Sequence, residues 1–218
     1  MLEIPLFPLN TVLFPGMPIN LHIFEERYKV MIHECAQNHQ PFGVSLIRQG
    51  EEALGPLAEP HPIGCTAHIT QIERLADGRM NILAVGLERF QIRALTYDKP
   101  YLVGSVELFP LAGDNPNTLA NAGQRLRPWV ERYLTMLSEV DDNIEFDRSH
   151  LPNDPLALGY LAAALVQIPL NQKQLLLATS SAADLLTSIR AIYRREVALL
   201  SAMIERSAVG EIGPFSNN

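Results

Sequence analysis

A change of pattern near Pro110 constrains the fold of this sequence most strongly. Before Pro110, short apolar runs alternate with Gly, Pro and Asn, as is typical of β-strands. After it, apolar residues recur at helical spacing over long stretches. Strands followed by helices predict an α+β protein with segregated parts. We expect a β-rich part over residues 1–110, a helical bundle over 111–208 and a frayed tail over 209–218.

The β-rich part contains several apolar runs that predict strands. Pro5 and Pro8 make the first run an edge strand or a segment that leads into the sheet. The pair Asp77-Gly78 is a strong hairpin signal, and Gly86 predicts a bulge or bend in the returning strand. Long β-arms interrupted by glycine favour a coiled sheet that closes towards a barrel. The runs are residues 4–9, 19–23, 42–47, 67–75, 80–85, 90–95 and 102–108.

One helix is predicted within this part. Apolar residues from Tyr28 to Ala36 fall on a single helical stripe, and Pro41 follows its end. Glu25 and Glu26 lie in the first turn, where the helix dipole favours acidic side chains.

The second part predicts four or five helices. The stripe over residues 119–140 contains Pro128, which should kink it or break it in two. Residues 156–168 are apolar nearly all round, which predicts a buried central helix ended by Pro169. A short helix over 171–178 and a long one beginning after Ser181 follow.

Composition and charge exclude several classes of function. Apolar residues make up 47% of the 218 residues and charged residues 19%, which predicts a packed, soluble protein. The formal net charge is −7, with 8 basic and 12 acidic residues before Pro110 and 9 and 12 after it. Neither part therefore offers a basic surface for nucleic acid or anionic lipid. No signal peptide or membrane-spanning run is predicted, and we expect a cytoplasmic protein whose Cys35 and Cys65 are buried thiols.

Clusters of polar residues offer weak signals for chemistry. Asp147, Ser149, His150 and Asp154 resemble a catalytic triad in composition, but turn residues between two helices explain them better. The alternating acids from residue 141 resemble a calcium loop, yet its sixth and twelfth positions lack the required Gly and Glu. The six histidines show no zinc spacing. We expect no catalytic residue, no metal and no cofactor.

Short motifs in a fixed order resemble the N-terminal substrate-binding domain of Lon proteases, in its small bacterial stand-alone form. The resemblance covers nearly the whole chain and implies a PUA-like β pseudo-barrel followed by a helical bundle. The full-length proteases add an ATPase and a Ser-Lys peptidase, but this sequence has no P-loop motif. The motifs are residues 5–9 (PLFPL), 12–16 (VLFPG), 21–28 (LHIFEERY), 42–44 (FGV), 63–67 (IGCTA), 77–79 (DGR), 86–90 (GLERF), 158–165 (LGYLAAAL) and 172–176 (QKQLL).

Four residues are candidate contacts for a polypeptide. Phe24 and Tyr28 belong to the most distinctive motif, although aromatic residues at this spacing more often anchor a helix on a sheet, with Arg27 paired to a carboxylate. Phe14 and Met17 flank a Pro/Gly turn and suit an adaptable apolar surface, although a rigid turn with a buried Phe14 is the commoner arrangement.

The resemblance implies a non-catalytic module that recognises unfolded or client polypeptides, or docks on a protease or chaperone, as a monomer or weak homodimer. RNA binding is an alternative, because PUA-like barrels elsewhere bind RNA, but the acidic balance opposes it. An unrecognised hydrolase using Ser149 and His150 is the third possibility.

Overall fold

The computed structural model of the chain describes residues 1–112, 115–140 and 147–210. The chain divides into two compact units. The first comprises Met1–Gly113 and Ala163–Ser181, and the second comprises Asp114–Ala162 and Ala182–Asn218. The first unit is therefore built from two separate stretches of sequence.

Seven strands and five α-helices make up the described chain, with one short 3-10 helix at Arg148–His150. In order they are β1 (Leu2–Leu9), β2 (Pro18–Ile23), α1 (Glu26–Asn38), β3 (Phe42–Gln49), β4 (Glu59–Pro60), β5 (Ile63–Arg74), β6 (Met80–Thr96), β7 (Leu102–Leu108), α2 (Pro116–Val140), α3 (Pro155–Leu165), α4 (Leu170–Leu177) and α5 (Ala182–Gly210). The predicted α+β class is confirmed.

Five strands of the first unit close into a ring. The hydrogen-bonded order runs β1-β7-β6-β5-β3, and β3 pairs with β1 again. β4 pairs with β3, and β2 pairs with β6 outside this ring. The expected pseudo-barrel is thus present, and closure removes the exposed edges that an open sheet would leave on these five strands.

The first strand changes its partner along its length, so each half of it has one unpaired edge, as the two prolines predicted. Residues 2–6 of β1 pair antiparallel with β7, and residues 6–9 pair parallel with β3. Each half of β1 is therefore paired along one side only. A proline in either half can place its nitrogen, which cannot donate, on the unpaired side. Pro5 and Pro8 are compatible with the ring for this reason.

Glycines occupy the two predicted special positions in the β-arms. Gly78 has φ +82° in the turn between β5 and β6, which confirms the hairpin. At Gly86 the register between β5 and β6 shifts, which confirms the bulge. A side chain at Gly86 would place a Cβ 2.4 Å from the Phe14 carbonyl oxygen. The close approach of the loop before β2 therefore requires glycine there.

The core of the first unit forms between α1 and the barrel strands. Tyr28, Met31, Ile32 and Cys35 of α1 are buried, as the predicted stripe implies. Both cysteines are buried free thiols, and desolvation raises the pKa of Cys35 to about 11 and that of Cys65 to about 12. Neither thiol is therefore a reactive nucleophile at neutral pH.

Arg89 joins the barrel to the helical segment of the same unit. Its guanidinium donates to the carbonyl oxygens of Leu177 and Thr179, each at 2.6 Å, and to that of Phe109 at 2.9 Å. The first two carbonyls lie at the C-terminal end of α4, where a helix attracts positive charge. Gln174 adds a hydrogen bond from its side-chain amide to the Ile63 carbonyl at 2.9 Å. These bonds explain why residues 163–181 belong with the barrel.

The second unit is helical. α2 runs through Pro128 without interruption, so the predicted break is absent. α3 ends at Leu165, three residues before the predicted end of the central helix. Tyr193 of α5 packs edge-on against Tyr133 of α2, with ring centroids 5.0 Å apart, and its hydroxyl donates to the Ala162 carbonyl. The acidic residues 141–146 and the predicted tail beyond residue 210 lie outside the described residues.

None of the helices in the described ranges is long and apolar enough to cross a bilayer.

Candidate functional site

The segment between β2 and α1 places two aromatic side chains in opposite environments. Phe24, directly after β2, keeps 43% of its surface exposed. Tyr28, in the first turns of α1, is only 4% exposed and stacks on Phe7 with ring centroids 4.0 Å apart. Tyr28 therefore anchors α1 on the sheet, while the ring of Phe24 is available at the surface.

Arg27 holds the segment in place. Its guanidinium pairs with Glu25 at 2.8 Å, donates to the Gly55 carbonyl at 3.0 Å and lies 4.9 Å from the centroid of the Tyr28 ring. The predicted pairing of Arg27 with a carboxylate is confirmed. These contacts tie the start of α1 to the loop that contains Gly55.

A cleft of about 310 Å³ opens beside Phe24. Its walls are mainly apolar, with two carboxylates, and burial is the main reason that the pKa of Tyr28 is raised. Such a cleft can accept an apolar side chain from a ligand. The lining residues are Phe7, Leu9, Asn20, Leu21, His22, Ile23, Phe24, Glu25, Tyr28, Glu52 and Ala53.

The other two candidate contacts lie elsewhere. Phe14 is fully buried, and Met17 is half-buried and packs against the core of the first unit. Neither lines the cleft. The alternative reading of this turn, with Phe14 inside, describes the observed arrangement. The structure therefore brings Phe24 and Tyr28 together and leaves Phe14 and Met17 apart from them.

Sequence reasoning did not single out β2, which forms one side of the cleft. A second, more open cleft of about 780 Å³ also lies along β2 and shares Asn20, Leu21 and His22 with the first. In this second cleft a polar row crosses three strands. His22 Nδ1 lies 2.8 Å from Asn81 Oδ1, and the Asn81 amide donates to Glu73 at 2.9 Å. The Asp77-Gly78 turn predicts that β5 and β6 pair, but no local signal in the sequence reveals that β2 joins them.

Residues 3–193 match the family described as the ATP-dependent protease La (LON) substrate-binding domain. The match covers most of the chain. The chain belongs to this family.

Full-length Lon proteases align with nearly the whole chain. Lon protease 2 of Myxococcus xanthus is 25% identical over 216 residues, which span 96% of this chain and 26% of that protein. Lon protease of Anaeromyxobacter dehalogenans is 26% identical and is covered to 25%. The chain therefore spans about a quarter of the length of these relatives.

Solved structures of Lon N-terminal domains share the fold. The Lon N-terminal domain protein from Xanthomonas campestris is 24% identical with a TM-score of 0.62. The N-terminal domain of the Mycobacterium avium complex Lon protease is 19% identical with a TM-score of 0.66. Each comparison covers 88% of this chain and 98% of the other.

The polar cluster after residue 146 of this Lon-type chain has the geometry of a turn. The Ser149 hydroxyl donates to Asp147 at 2.6 Å, and the Ser149 backbone N–H donates to the same carboxylate at 2.8 Å. These bonds hold the pKa of Asp147 below its ordinary value. The Ser149 hydroxyl therefore donates to the Asp147 carboxylate and not to His150. This is the arrangement of a turn, whereas a nucleophilic serine would donate to the histidine. Within the described ranges, no three His, Cys, Asp or Glu side chains are grouped as a metal site would need.

Proposed function

We propose that this chain is a polypeptide-recognition module that holds apolar segments of unfolded or client proteins in the cleft beside Phe24. The observation that carries the proposal is the exposed Phe24 ring at the mouth of a mainly apolar cleft. Membership of the Lon substrate-binding family supports it.

The cleft suits weak and unselective binding. Covering the exposed part of a phenylalanine ring contributes on the order of 1 kcal/mol, and one or two apolar side chains of a ligand add similar amounts. Association itself has a large entropic cost, so a short segment should bind weakly. A module of this kind discriminates by how much apolar side chain is accessible, and therefore between unfolded and folded proteins.

The chain itself performs no reaction in this proposal. It acts by bringing a bound polypeptide to a protease or chaperone partner. Of the four candidate contacts, Phe24 touches the ligand, Tyr28 forms the floor of the cleft, and Phe14 and Met17 support the neighbouring turn.

Fluorescence anisotropy can test the proposal with one labelled protein in two states. We expect reduced, carboxymethylated α-lactalbumin to bind and the native form not to bind. Phe24→Ala should weaken binding several-fold, because the variant loses much of the exposed apolar surface at the cleft. Tyr97→Ala is the matched control, because Tyr97 is 62% exposed and lies outside the cleft. Equal binding of the two states, or unchanged binding by Phe24→Ala, would refute the proposal.

A further inference from the structure

The strand β2 has an unpaired edge beside the candidate cleft. Among the residues that the structure describes, β2 pairs with β6 alone, from Pro18 opposite Val85 to Ile23 opposite Met80. Strand edges of this kind accept an extended polypeptide as an additional strand, through main-chain hydrogen bonds. The inference that follows rests on the proposed function and specifies how the polypeptide is held.

The register shows which backbone groups point away from β6. Gly86 donates its N–H to the Met17 carbonyl at 2.9 Å, so the backbone of residue 17 faces β6. In an antiparallel pair the facing groups alternate, so residues 19, 21 and 23 also face β6. The N–H and C=O groups of Asn20 and His22 therefore point to the open edge. Pro18 lacks an N–H and limits the usable edge to these two residues.

Space for an added strand exists beside this edge. The clefts of about 310 and 780 Å³ meet along β2, since Asn20, Leu21 and His22 line both. An extended chain projects alternate side chains to opposite faces. Side chains on the Leu21 face would enter the apolar cleft with Phe24, and those on the other face would lie beside the exposed His22.

The charge of the cleft selects among extended segments. Two of its lining residues are carboxylates, Glu25 and Glu52. Glu25 is neutralised by Arg27 at 2.8 Å, whereas Glu52 accepts the neutral Asn10 N–H at 2.7 Å and forms no ion pair within the described residues. A lysine or arginine next to the apolar side chains of the ligand would complement the charge of Glu52.

We propose that β2 binds client polypeptides by strand addition. An extended segment pairs with the Asn20 and His22 backbone, inserts alternate apolar side chains into the cleft beside Phe24, and places a flanking Lys or Arg near Glu52. The edge is short and begins at a proline, which limits addition to a few residues and opposes aggregation of free chains.

Backbone methylation of a peptide probes this pairing directly. The probe is a fluorescein-labelled peptide that alternates valine with threonine and ends in lysine. One derivative carries N-methyl groups on the threonine amides, and a second carries them on the valine amides. Strand addition predicts that only one derivative loses affinity, by about tenfold or more, because only alternate amides face β2. Loss from the threonine series indicates antiparallel addition, and loss from the valine series indicates parallel addition.

Variants of Asn20 test the same bond from the protein side. Asn20→Pro removes the N–H at the open edge and leaves the groups that face β6 intact, so it should lower affinity about tenfold. Asn20→Ala keeps that N–H but removes a side chain that lines both clefts, so its affinity should fall less than that of Asn20→Pro. Circular dichroism and urea unfolding check that both variants fold, and the methylated peptides test the proposal on the wild-type protein if Asn20→Pro does not fold.

The outcomes separate this inference from the proposed function. If both methylated peptides bind alike while Phe24→Ala still weakens binding, the cleft acts through side chains alone and strand addition is overturned. If unfolded and native proteins bind equally well to the wild-type chain, the proposed function fails as well. Selective loss in one methylated series, together with a clearly larger loss in Asn20→Pro than in Asn20→Ala, supports strand addition.

Discussion

Arg27 and Arg89 make similar contacts in two different regions of the first unit. Each guanidinium lies about 5 Å from an aromatic ring, 4.9 Å for Arg27 and 4.8 Å for Arg89, and each donates to backbone carbonyls. Arg89 is 3% exposed and donates to three carbonyls in two chain segments. Arg27 is half-buried and has as its counter-ion Glu25, which lines an open cleft.

The comparison distinguishes a region that contributes mainly to the stability of the fold from a region proposed to bind a ligand. The Leu177 carbonyl bound by Arg89 is buried and those of Thr179 and Phe109 are partly buried, so water replaces the guanidinium poorly and the region around it should tolerate little change. In the region around Arg27, the Tyr28 side chain is buried and fixes α1 on the sheet, whereas the Phe24 side chain is partly exposed. The region therefore combines a rigid part with an accessible part. The predictions that follow test this division, from the largest effect to the smallest.

Arg89→Met should have the largest effect. Methionine fills much of the volume but leaves the buried carbonyls without a donor, and we expect the free energy of unfolding to fall by about 3–5 kcal/mol. Urea denaturation measures it. Arg93→Met is the matched control, because Arg93 lies on the same strand and pairs with Glu107 at the surface, where an ion pair contributes about 1 kcal/mol or less. Equal losses in the two variants would contradict the structural role assigned to Arg89.

The variants Tyr28→Ala and Phe24→Ala compare a buried and a partly exposed aromatic residue of the same sequence motif. Tyr28→Ala removes a buried stacked ring and should lower the free energy of unfolding by about 3–5 kcal/mol. Phe24→Ala should lower it by about 1 kcal/mol, because nearly half of that ring is already exposed. Thermal or urea unfolding distinguishes the two. A larger loss of stability in Phe24→Ala would make Phe24 a structural residue and remove it from the site.

The smallest expected effect belongs to Glu52→Gln. Glutamine can still accept the Asn10 N–H but carries no charge, so binding of the lysine-ended peptide should weaken by about two- to fivefold. The same peptide ending in norleucine should bind both proteins equally. The effect should also shrink at high salt, because the interaction is exposed and screened. If Glu52→Gln binds both peptides as tightly as the wild-type protein does, the charge of Glu52 does not contribute to the selection of the ligand.

Features set by neighbouring residues were predictable from the sequence. The stripe of α1, the turn at Gly78 and the bulge at Gly86 are all local signals, and all three are present. The pseudo-barrel was expected from resemblance to the family. Helix α2 shows the limit of local rules, since Pro128 lies inside a continuous helix.

Pairings between distant segments could not be read from the sequence. Nothing near Pro5 indicates that β1 exchanges one partner strand for another along its length. Nothing near Arg89 indicates that its partners lie at Leu177 and Thr179. The open edge at Asn20 is likewise a property of which strands are neighbours, and alternation along one strand carries no information about them. For this reason the sequence predicted Phe24 as a contact and a strand over residues 19–23, but not the open edge of that strand.

The contacts of Arg89 also bear on the order in which the chain folds during synthesis. The ring cannot close until β7, about a hundred residues after β1, has been synthesised. Arg89 then lacks two of its carbonyl partners until residues 177–179 have emerged from the ribosome. A nascent chain stalled before that point would carry the Arg89 guanidinium without two of its three acceptors, a state that favours partial unfolding and capture by chaperones. The first unit begins at Met1 but completes its fold only after all of the second unit's first stretch has been translated.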